Sequence, residues 1–389
     1  MRRTAAVVLA VLVAAPLLFG SAAGSHTEES TVDCTFPVSA TDATGTTVTV
    51  SEAPERVVVL GPSAAQTMWA IGAQETVVGM PVNRYTAYLN GSTERTNVVG
   101  DRGQPVRETV VAAQPDLVLA PNIITNDTVS TLREALPEGA AVYRFDAATT
   151  LEDVAAKTEL TGQLVGSFDG AATVAAEYRG RVSAIETATA DAERPTVYFA
   201  MGGGWTAGTE TFIGTIIETA GGRNVATAAN ISGYAKISQE VIAAEDPDWI
   251  VVGKGMPVPK NAAVNESTAV QEGNILEVDS NLLNQPGPMT RIPLTQLAQA
   301  FHPDRVSEKA LANADVPDPV RCHADVETAT PTPTATPTTS PTPTASPSPT
   351  ATPTPTATTT TSNAGGPGFG VPVAVVGMVA AAGALARRD

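Results

Sequence analysis

Residues able to carry enzyme chemistry are sparse in this chain and far apart. The histidines are His26, His302 and His323, and they form no cluster with the ligand spacing of a zinc site. The sequence contains no His-Glu-x-x-His, Gly-x-Ser-x-Gly or P-loop motif. We therefore expect no catalytic centre, no metal and no cofactor. A surface hydrolase whose Ser/His/Asp triad is drawn from distant residues stays open as an alternative.

A glycine-rich segment at 202–208 nominally fits the dinucleotide pattern Gly-x-Gly-x-x-Ala. Such a site needs a helix that starts at once and an acidic residue about 20 positions later. The next helix is expected only near Phe212, and no acidic residue is suitably placed. We interpret the glycines instead as a flexible wall that brings Trp205 close to a ligand.

Aromatic residues make up only 4% of the chain, yet several fall in predicted loops after strands. Aromatic side chains in such loops could line a cleft and stack on a large flat ligand. Trp69 and Trp249 lie within a predicted helix and strand, so they are expected in the core. The expected ligand contacts are Tyr85, Tyr88, Trp205 and Tyr234.

The elements that would position these residues alternate between strand and helix. Strands are expected at 46–50, 56–60, 77–80, 117–120, 142–145, 196–200, 249–252 and 275–278. Helices are expected at 64–71, 108–113, 129–136, 212–220, 239–244 and 293–301, the first capped by Ser63. The alternation predicts an α/β fold with largely parallel sheets.

One α/β unit occurs twice in the sequence. The segments 108–120 and 240–252 align without a gap and share a glutamate, an alanine, a proline and an aspartate. Each is typical of a short helix, a Pro-Asp turn and a buried strand. Apolar spacings of three and four predict one long helix at 167–190 between the two copies. The sequence thus predicts two Rossmann-like lobes joined by one long helix, with a ligand cleft between them.

Both ends of the chain differ in composition from the lobes. Two arginines, an apolar run at 5–19 and small residues are typical of a cleaved signal peptide, an uncleaved anchor helix being the alternative. A Pro/Thr/Ser-rich segment is interpreted as an O-glycosylated stalk. The expected order is a signal peptide (1–24), an N-terminal α/β lobe (25–166), a connecting helix (167–191), a C-terminal α/β lobe (192–324), the stalk (325–363) and a sorting or transmembrane tail (364–389).

Charge and cysteine content limit the classes of partner and compartment. Asp and Glu number 40 against 23 Lys and Arg, which argues against nucleic acid and is typical of a halophilic archaeon. Cys34 and Cys322 are the only cysteines; outside the cell they are expected to form a disulfide, with free thiols as the alternative. Candidate N-glycosylation sites are Asn90, Asn126, Asn230 and Asn265.

The C-terminal tail resembles the PGF-CTERM sorting signal of archaeal surface proteins. The matching parts are Pro367-Gly368-Phe369, an apolar run at 371–386 and the terminal Arg387-Arg388. The resemblance implies that the tail is cleaved near the Pro-Gly-Phe and replaced by a lipid anchor. A plain C-terminal membrane helix is the alternative. Either way, the folded part is expected outside the cell.

The folded region resembles the helical-backbone class of ABC-importer substrate-binding proteins. The matching segments are 54–62 (Pro-Glu-Arg-Val-Val-Val-Leu-Gly-Pro), 99–103 (Val-Gly-Asp-Arg-Gly) and the two repeated segments, within about 46–320. The resemblance implies a non-enzymatic protein that captures a ligand and delivers it to an ABC permease dimer with cytoplasmic ATPase subunits. In that family, glutamates matching Glu108 and Glu240 pair with permease arginines.

The cobalamin-binding branch of that class looks most similar, through the strand with Arg56, the loop with Tyr85 and the 205–208 turn. Cobalamin binders tend to place a tryptophan near 100–103, and this chain has none there. A ferric siderophore or haem is therefore the alternative ligand. The cations that could serve an anionic siderophore are Arg84, Arg102 and Arg291.

The tail generates a prediction about processing. If it is a sorting signal, the mature membrane-bound protein lacks everything beyond the Pro367-Gly368-Phe369 region. Intact mass and terminal peptides of protein extracted from host membranes measure this directly. Detection of the Arg387-Arg388 terminus in that fraction contradicts the prediction.

Overall fold

The computed structural model describes residues 34–312, 315–320 and 322. The expected signal peptide, stalk and sorting tail lie outside the described residues. Of the described residues, 101–103 fall in a separate unit and all the others fall in one compact unit. In the separate unit the described residues Asp101–Gly103 are an exposed turn. All elements below belong to the compact unit.

The first lobe is a five-stranded parallel sheet with a short hairpin before it. Its strands are β1 (Val38–Thr41), β2 (Thr47–Val50), β3 (Val57–Val59), β4 (Val77–Met80), β5 (Thr96–Asn97), β6 (Leu117–Ala120) and β7 (Ala141–Arg144). Its helices are α1 (Pro62–Ala70), α2 (Arg107–Ala112) and α3 (Asn126–Ala135). The strand order is β5-β4-β3-β6-β7, and β1 pairs with β2 in the hairpin. This alternation of strands and helices is the predicted parallel arrangement.

Both faces of this sheet are buried. Val57 and Val59 of β3 pack into one core with Met68, while Val58 packs into another core with Val110. Successive side chains of a strand point to opposite faces, so a run of valines serves both cores. Continuous apolar strands of this kind are typical of parallel sheets covered by helices.

The second lobe repeats this arrangement with a four-stranded parallel sheet. Its strands are β8 (Thr196–Ala200), β9 (Trp205–Ala207), β10 (Arg223–Asn224), β11 (Tyr234–Lys236), β12 (Trp249–Gly253) and β13 (Ile275–Val278). The sheet order is β10-β8-β12-β13, and β9 pairs with β11 in a separate antiparallel pair. Trp205 and Tyr234 therefore lie in strands, and their prediction as loop residues is wrong because the short pair follows the glycine turn.

Two helices, rather than one, connect the lobes. They are α4 (Leu151–Val165) and α5 (Phe168–Thr189), which lie antiparallel. The first residues of α4, such as Leu151, belong to the core of the second lobe, and its last, such as Leu164, belong to the core of the first. The sequence prediction found α5 and missed α4, because α4 buries threonines and a glycine among its apolar residues. Its capping box, Thr150 with Asp153, was the available signal.

The remaining helices cover the second lobe. They are α6 (Phe212–Thr219), α7 (Val225–Ala228), α8 (Gln239–Glu245), α9 (Ala262–Asn265), α10 (Thr268–Glu272), α11 (Ser280–Leu283), α12 (Arg291–Phe301) and α13 (Glu308–Ala312). Within the described residues, no helix is both long and apolar enough to span a membrane. The structure bonds Cys34 to Cys322 across a sequence separation of 288. The four candidate glycosylation asparagines are all exposed.

The repeated Pro-Asp turns make the same contact in both lobes. The Asp116 carboxylate accepts hydrogen bonds from the backbone N–H groups of Glu55 and Arg56 at 3.0 and 2.9 Å. The Asp248 carboxylate accepts from the N–H and the hydroxyl of Thr196, both at 2.7 Å. Asp116 precedes β6 and thus fixes the start of the neighbouring strand β3. Asp248 precedes β12 and fixes the start of the neighbouring strand β8 in the same way.

One sequence prediction about α1 is wrong. Ser63 was expected as its N-cap, but the helix begins at Pro62, and Gly61 occupies the cap position without a side-chain hydrogen bond. Proline suits the first helical position because it has no N–H to satisfy there. Ser63 therefore lies inside the first turn, where its hydroxyl is free to face another element.

Replacing Asp116 or Asp248, which fix the starts of β3 and β8, should destabilise the lobe that contains the aspartate. We expect Asp248→Ala to lower the free energy of unfolding by about 2 kcal/mol, because two hydrogen bonds to a carboxylate are lost. Asp116 is exposed, so we expect a smaller loss of about 1 kcal/mol for Asp116→Ala. Denaturant unfolding at constant high KCl measures both, with exposed Asp101→Ala as the control. Equal stability of all three variants contradicts the assigned role.

Candidate ligand site between the lobes

Loops at the carboxyl ends of the strands bring the two lobes together. The Gln285 side-chain amide, which follows β13, donates to the Tyr85 carbonyl at 2.9 Å. Tyr85 follows β4, and Asn281 of α11 donates to the neighbouring Arg84 carbonyl at 3.3 Å. Loops after parallel strands lie at the carboxyl edge of a sheet, so the two carboxyl edges face each other. This edge is where α/β folds bind ligands.

A buried glutamine organises the contact between the lobes. Gln66 of α1 has no exposed surface; its amide N–H donates to the Tyr88 hydroxyl at 3.0 Å. Its carbonyl oxygen accepts from the Met289 backbone N–H at 2.9 Å. The Tyr88 hydroxyl donates in turn to Gln285 at 2.9 Å. A Cβ added to Gly287 would lie 2.5 Å from the Gln66 carbonyl oxygen, so glycine is required for this approach.

This network limits what Tyr88 can do for a ligand. Burial raises the pKa of its phenol, and the hydroxyl serves the contact between lobes. The residue is 37% exposed, so part of its ring remains accessible. Tyr88 therefore connects the two lobes, and its contact with a ligand stays a prediction.

Tyr85 lies beside Tyr88 with one face of its ring covered. The Arg84 guanidinium carbon lies 4.7 Å from the Tyr85 ring centroid, and Arg84 also donates to the Tyr85 hydroxyl at 2.5 Å. Cation–π stacking of this kind orients the ring. The contact of Tyr85 with a ligand stays a prediction.

The wall contributed by the second lobe contains the other two predicted aromatics. In the β9–β11 pair, Trp205 is opposite Lys236 and Tyr234 is opposite Ala207. Trp205 and Tyr234 therefore project from the same face as diagonal neighbours, about 7–8 Å apart between backbones. Tyr234 is 50% exposed, and partial burial raises the pKa of its phenol. The structure brings this predicted pair together.

The glycine turn before Trp205 has a conformational reason. Gly202, Gly203 and Gly204 have φ angles of 87°, 58° and 80°, a region that side chains with a Cβ rarely adopt. The turn is followed by a strand rather than a helix. The segment therefore cannot act as a dinucleotide-binding turn, in agreement with the interpretation preferred from the sequence.

Two apolar residues at the same edges were not predicted. Ile123 follows β6 and is 73% exposed, and Met256 follows β12 and is 37% exposed. The Met256 methyl group lies 3.3 Å from the position that a Cβ on Gly202 would take. Large exposed apolar side chains in edge loops are candidate ligand contacts. Their position directly after predicted strands was the signal that could have identified them.

A lysine lies at the base of this region. Lys157 of α4 places its Nζ 3.3 Å from the Ser63 hydroxyl and 5.2 Å from the Phe145 ring centroid. Burial lowers the pKa of Lys157 to about 8. Ser63 follows β3 and Phe145 follows β7, so the amine lies at the carboxyl edge of the first sheet. Sequence reasoning missed Lys157 because it missed α4.

The predicted arginines differ in their surroundings. Arg84 is paired with Tyr85, as described above. Arg291 is exposed at the first position of α12, and it takes part in none of the hydrogen bonds between lobes described here. Arg102 belongs to the separate unit and is exposed.

Glu108 and Glu240 occupy equivalent positions. Each is the second residue of its helix, α2 or α8, and both carboxylates are exposed. A hydrogen bond from its own backbone N–H lowers the pKa of each, with further help from Arg107 for Glu108 and from Ser238 for Glu240. Because these helices run back against their strands, their first turns lie toward the carboxyl edge of each sheet.

Possible metal ligands and surface cavities were the other candidate features in the described part of the chain. No group of three or more His, Cys, Asp or Glu side chains there could hold a metal ion. A surface cavity of about 300 Å³ lies between α5 and α6, lined by Thr189 and Arg194 among others. Arg194 is already bound to Glu218 and to the Gly222 carbonyl. This cavity adjoins the amino edge of the second sheet, away from the aromatic walls.

Comparison with known proteins identifies a matching family model and related binding proteins. A family model described as Periplasmic binding protein matches residues 57–282. A cobalamin-binding protein of Halobacterium salinarum is 44% identical over 284 residues, which are 69% of this chain and 75% of that protein. An uncharacterised ABC transporter substrate-binding lipoprotein of Bacillus subtilis is 26% identical over 327 residues, 79% of this chain and 100% of that protein.

A solved structure shares the fold. The apo form of the periplasmic heme-binding protein RhuT from Roseiflexus sp. RS-1 matches with a TM-score of 0.55 and 24% identity. The match covers 66% of this chain and 99% of that one. At this identity the similarity concerns the fold, which has two α/β lobes with parallel sheets.

Proposed function

This chain belongs to the periplasmic binding protein family, and from that premise we propose that it is the extracellular substrate-binding component of an ABC importer for a corrinoid. The observation that carries the ligand class is the 44% identity to a cobalamin-binding protein over most of both chains. The matched relatives are binding proteins of the transport class rather than enzymes. Ligand capture therefore depends on shape complementarity and noncovalent contacts, and no covalent bond is made or broken.

The geometry between the lobes supports a large, mostly apolar ligand. In this proposal Trp205, Tyr234 and Met256 of the second lobe contact one side of the ligand, and Tyr85 and Ile123 of the first lobe contact the other; the exposure of Tyr234, Met256 and Ile123 supports it. Exposed aromatic and aliphatic side chains that converge on one edge bury apolar ligand surface at roughly 25 cal/mol per Å². A corrin ring presents an extended face of this kind.

Haem or a ferric siderophore is the second candidate. The cationic Arg84 beside Tyr85 is the observation that favours an anionic ligand. Arg84 stacks on Tyr85, so an anionic ligand would have to share this guanidinium or displace it from the ring. A corrin ring can stack on aromatic side chains without this cation.

The chain ends support a protein held at the outer surface of the cell. An N-terminal secretion signal, a Pro/Thr/Ser-rich stalk and a processed tail would together present the lobes outside the membrane. The bonded Cys34–Cys322 pair agrees with an oxidising compartment. An anchored binding protein stays near its permease after each delivery.

Docking to the permease is assigned to Glu108 and Glu240. Their equivalent, exposed positions present one carboxylate on each lobe, which suits a two-subunit partner with a basic residue on each subunit. Glu108 is already 3.1 Å from Arg107, whereas no arginine is within salt-bridge distance of Glu240 in the described ranges. The permease arginine would therefore compete with Arg107 at one lobe only.

The ligand prediction centres on Trp205. We expect cyanocobalamin to bind saturably and Trp205→Ala to weaken binding by about 1–3 kcal/mol, because the stacked ring face is lost. Trp205→Phe keeps an aromatic face and is the matched control, expected to retain most of the affinity. Calorimetric titration with cyanocobalamin, haem and a ferric siderophore measures each, and native mass spectrometry of protein from its host identifies any retained ligand. Saturable binding of a ferric siderophore alone contradicts the corrinoid.

The docking prediction separates capture from delivery. We expect Glu108→Ala and Glu240→Ala to leave ligand affinity unchanged and to reduce uptake, with the double variant most impaired. Glu177→Ala, an exposed glutamate on α5, is the control and should transport normally. Uptake by cells that express each variant, together with titration of the purified proteins, measures both. Normal uptake in the double variant rules out the docking role.

A further inference from the structure

Lys157 is a cation enclosed without a counter-charge. Its Nζ contacts the Ser63 hydroxyl at 3.3 Å and the Phe145 ring, and in residues 34–312, 315–320 and 322 no carboxylate is within salt-bridge distance. Enclosure alone, with no charged partner, lowers the pKa of this amine to about 8, which still leaves it mostly protonated at neutral pH. An ammonium that is partly withdrawn from water without a counter-charge opposes folding. A ligand anion that paired with it would remove this cost.

The first turn of α1 faces the same point with free donors. This nine-residue helix has no side-chain cap and no acidic residue in its first turn. The first backbone N–H to find an acceptor there is that of Ala65, which donates to the Gly61 carbonyl. The N–H groups of Ser63 and Ala64 have no acceptor among the described residues. They add the positive partial charge of a helix N-terminus.

The donors converge because Lys157 reaches Ser63 itself. A ligand oxygen that accepted a hydrogen bond from Lys157 Nζ would also lie near the Ser63 hydroxyl. This hydroxyl belongs to the same helical turn as the N–H groups that lack an acceptor. Side chain, hydroxyl and backbone therefore offer donors to one small region. It lies at the carboxyl edge of the first sheet, the edge that also carries Tyr85 and Ile123.

We propose that Lys157, the Ser63 hydroxyl and the first-turn N–H groups of α1 form a subsite for an oxyanion carried by the ligand. The proposal rests on the proposed function, because it assigns a chemical group of the captured ligand to one place in the cleft. A complete cobalamin carries a phosphodiester in its nucleotide loop, cobinamide lacks that group, and haem carries carboxylates. The subsite therefore selects a ligand that carries an oxyanion group over the truncated form that lacks this group.

The selectivity arises from the hydrogen-bond donors that stay unpaired when the ligand lacks an oxyanion. When the ligand lacks the oxyanion, the enclosed ammonium and the free N–H groups lose water without gaining a partner. Sites built around buried polar groups reject such truncated ligands more strongly than apolar pockets reject a missing methylene. A lysine in this place thus contributes discrimination as well as affinity.

The first arm of the test uses inorganic phosphate on the full mature protein. Thermal unfolding is compared in KCl and in KCl with phosphate at equal ionic strength. We expect phosphate to raise the midpoint for the wild type and Lys157→Arg, and to leave Lys157→Met unshifted. Lys309→Met, on α13, is the control and should keep the wild-type shift. Lys157→Met should fold, because it replaces an enclosed charge with an apolar chain of similar length.

The second arm compares cyanocobalamin with dicyanocobinamide by titration. We expect the wild type to bind cyanocobalamin roughly tenfold or more tightly than dicyanocobinamide, because of charge-assisted hydrogen bonds. Lys157→Met should lose that difference by weakening cyanocobalamin alone. Haem is titrated in parallel, so that a carboxylate-bearing ligand is distinguished from a phosphodiester.

The outcomes distinguish failure of the subsite from failure of the function. The subsite is overturned if the wild type and Lys157→Met bind cyanocobalamin with equal affinity. It is also overturned if Lys157→Met loses the same amount of affinity for cyanocobalamin and for dicyanocobinamide. In both cases the proposed binding function is unaffected. If the wild type binds neither corrinoids nor haem, the proposed function falls and the phosphate arm decides the subsite. A phosphate shift that persists in Lys157→Met then overturns the subsite as well.

Discussion

The packing of α4 against α5 determines the position of the two lobes relative to each other. A Cβ added to Gly162 of α4 would lie 2.1 Å from the Ala171 Cβ of α5, so the helices approach as closely as their backbones permit. Arg179 of α5 binds Glu152 at 2.7 Å and Glu159 at 2.5 Å, which aligns the pair along its length. Because α4 is packed into the cores of both lobes, reorienting one lobe would disturb packing in the other. The cleft is therefore framed by a stiff base, and Lys157 is carried on that base.

The repeated unit explains why the lobes present equivalent surfaces. In each, an aspartate after a proline fixes the neighbouring central strand, and a glutamate occupies the second position of the preceding helix. The same local contacts generate the same geometry twice, so matching residues appear at matching edges. The copies are not identical in their surroundings, since Arg107 pairs with Glu108 while Ser238 assists Glu240.

The polar groups between the lobes fall into two kinds. Gln66, Tyr88 and Gln285 satisfy one another, and such a completed network holds a fixed arrangement of loops. Lys157 donates to the Ser63 hydroxyl but has no carboxylate partner among the described residues, and the first turn of α1 has no side-chain cap. Satisfied groups shape a site, whereas unsatisfied donors are available to a ligand. Among the residues described, this contrast distinguishes groups that hold the loops in place from groups that we propose to recognise the ligand.

The sequence by itself determined the class of fold and most of its elements. Apolar runs such as 117–120 and 196–200 are strands because buried parallel strands need nearly continuous apolar residues, and the two Pro-Asp segments revealed the duplicated lobe. Tertiary structure decided what depends on distant partners. It showed that α4 is a second connector, because threonines and a glycine there are buried only against α5 and the cores. It paired Trp205 with Tyr234 across two short strands, and it joined Tyr88 to Gln285, 197 residues away. Such contacts leave no local pattern, because each partner is defined by how the lobes pack.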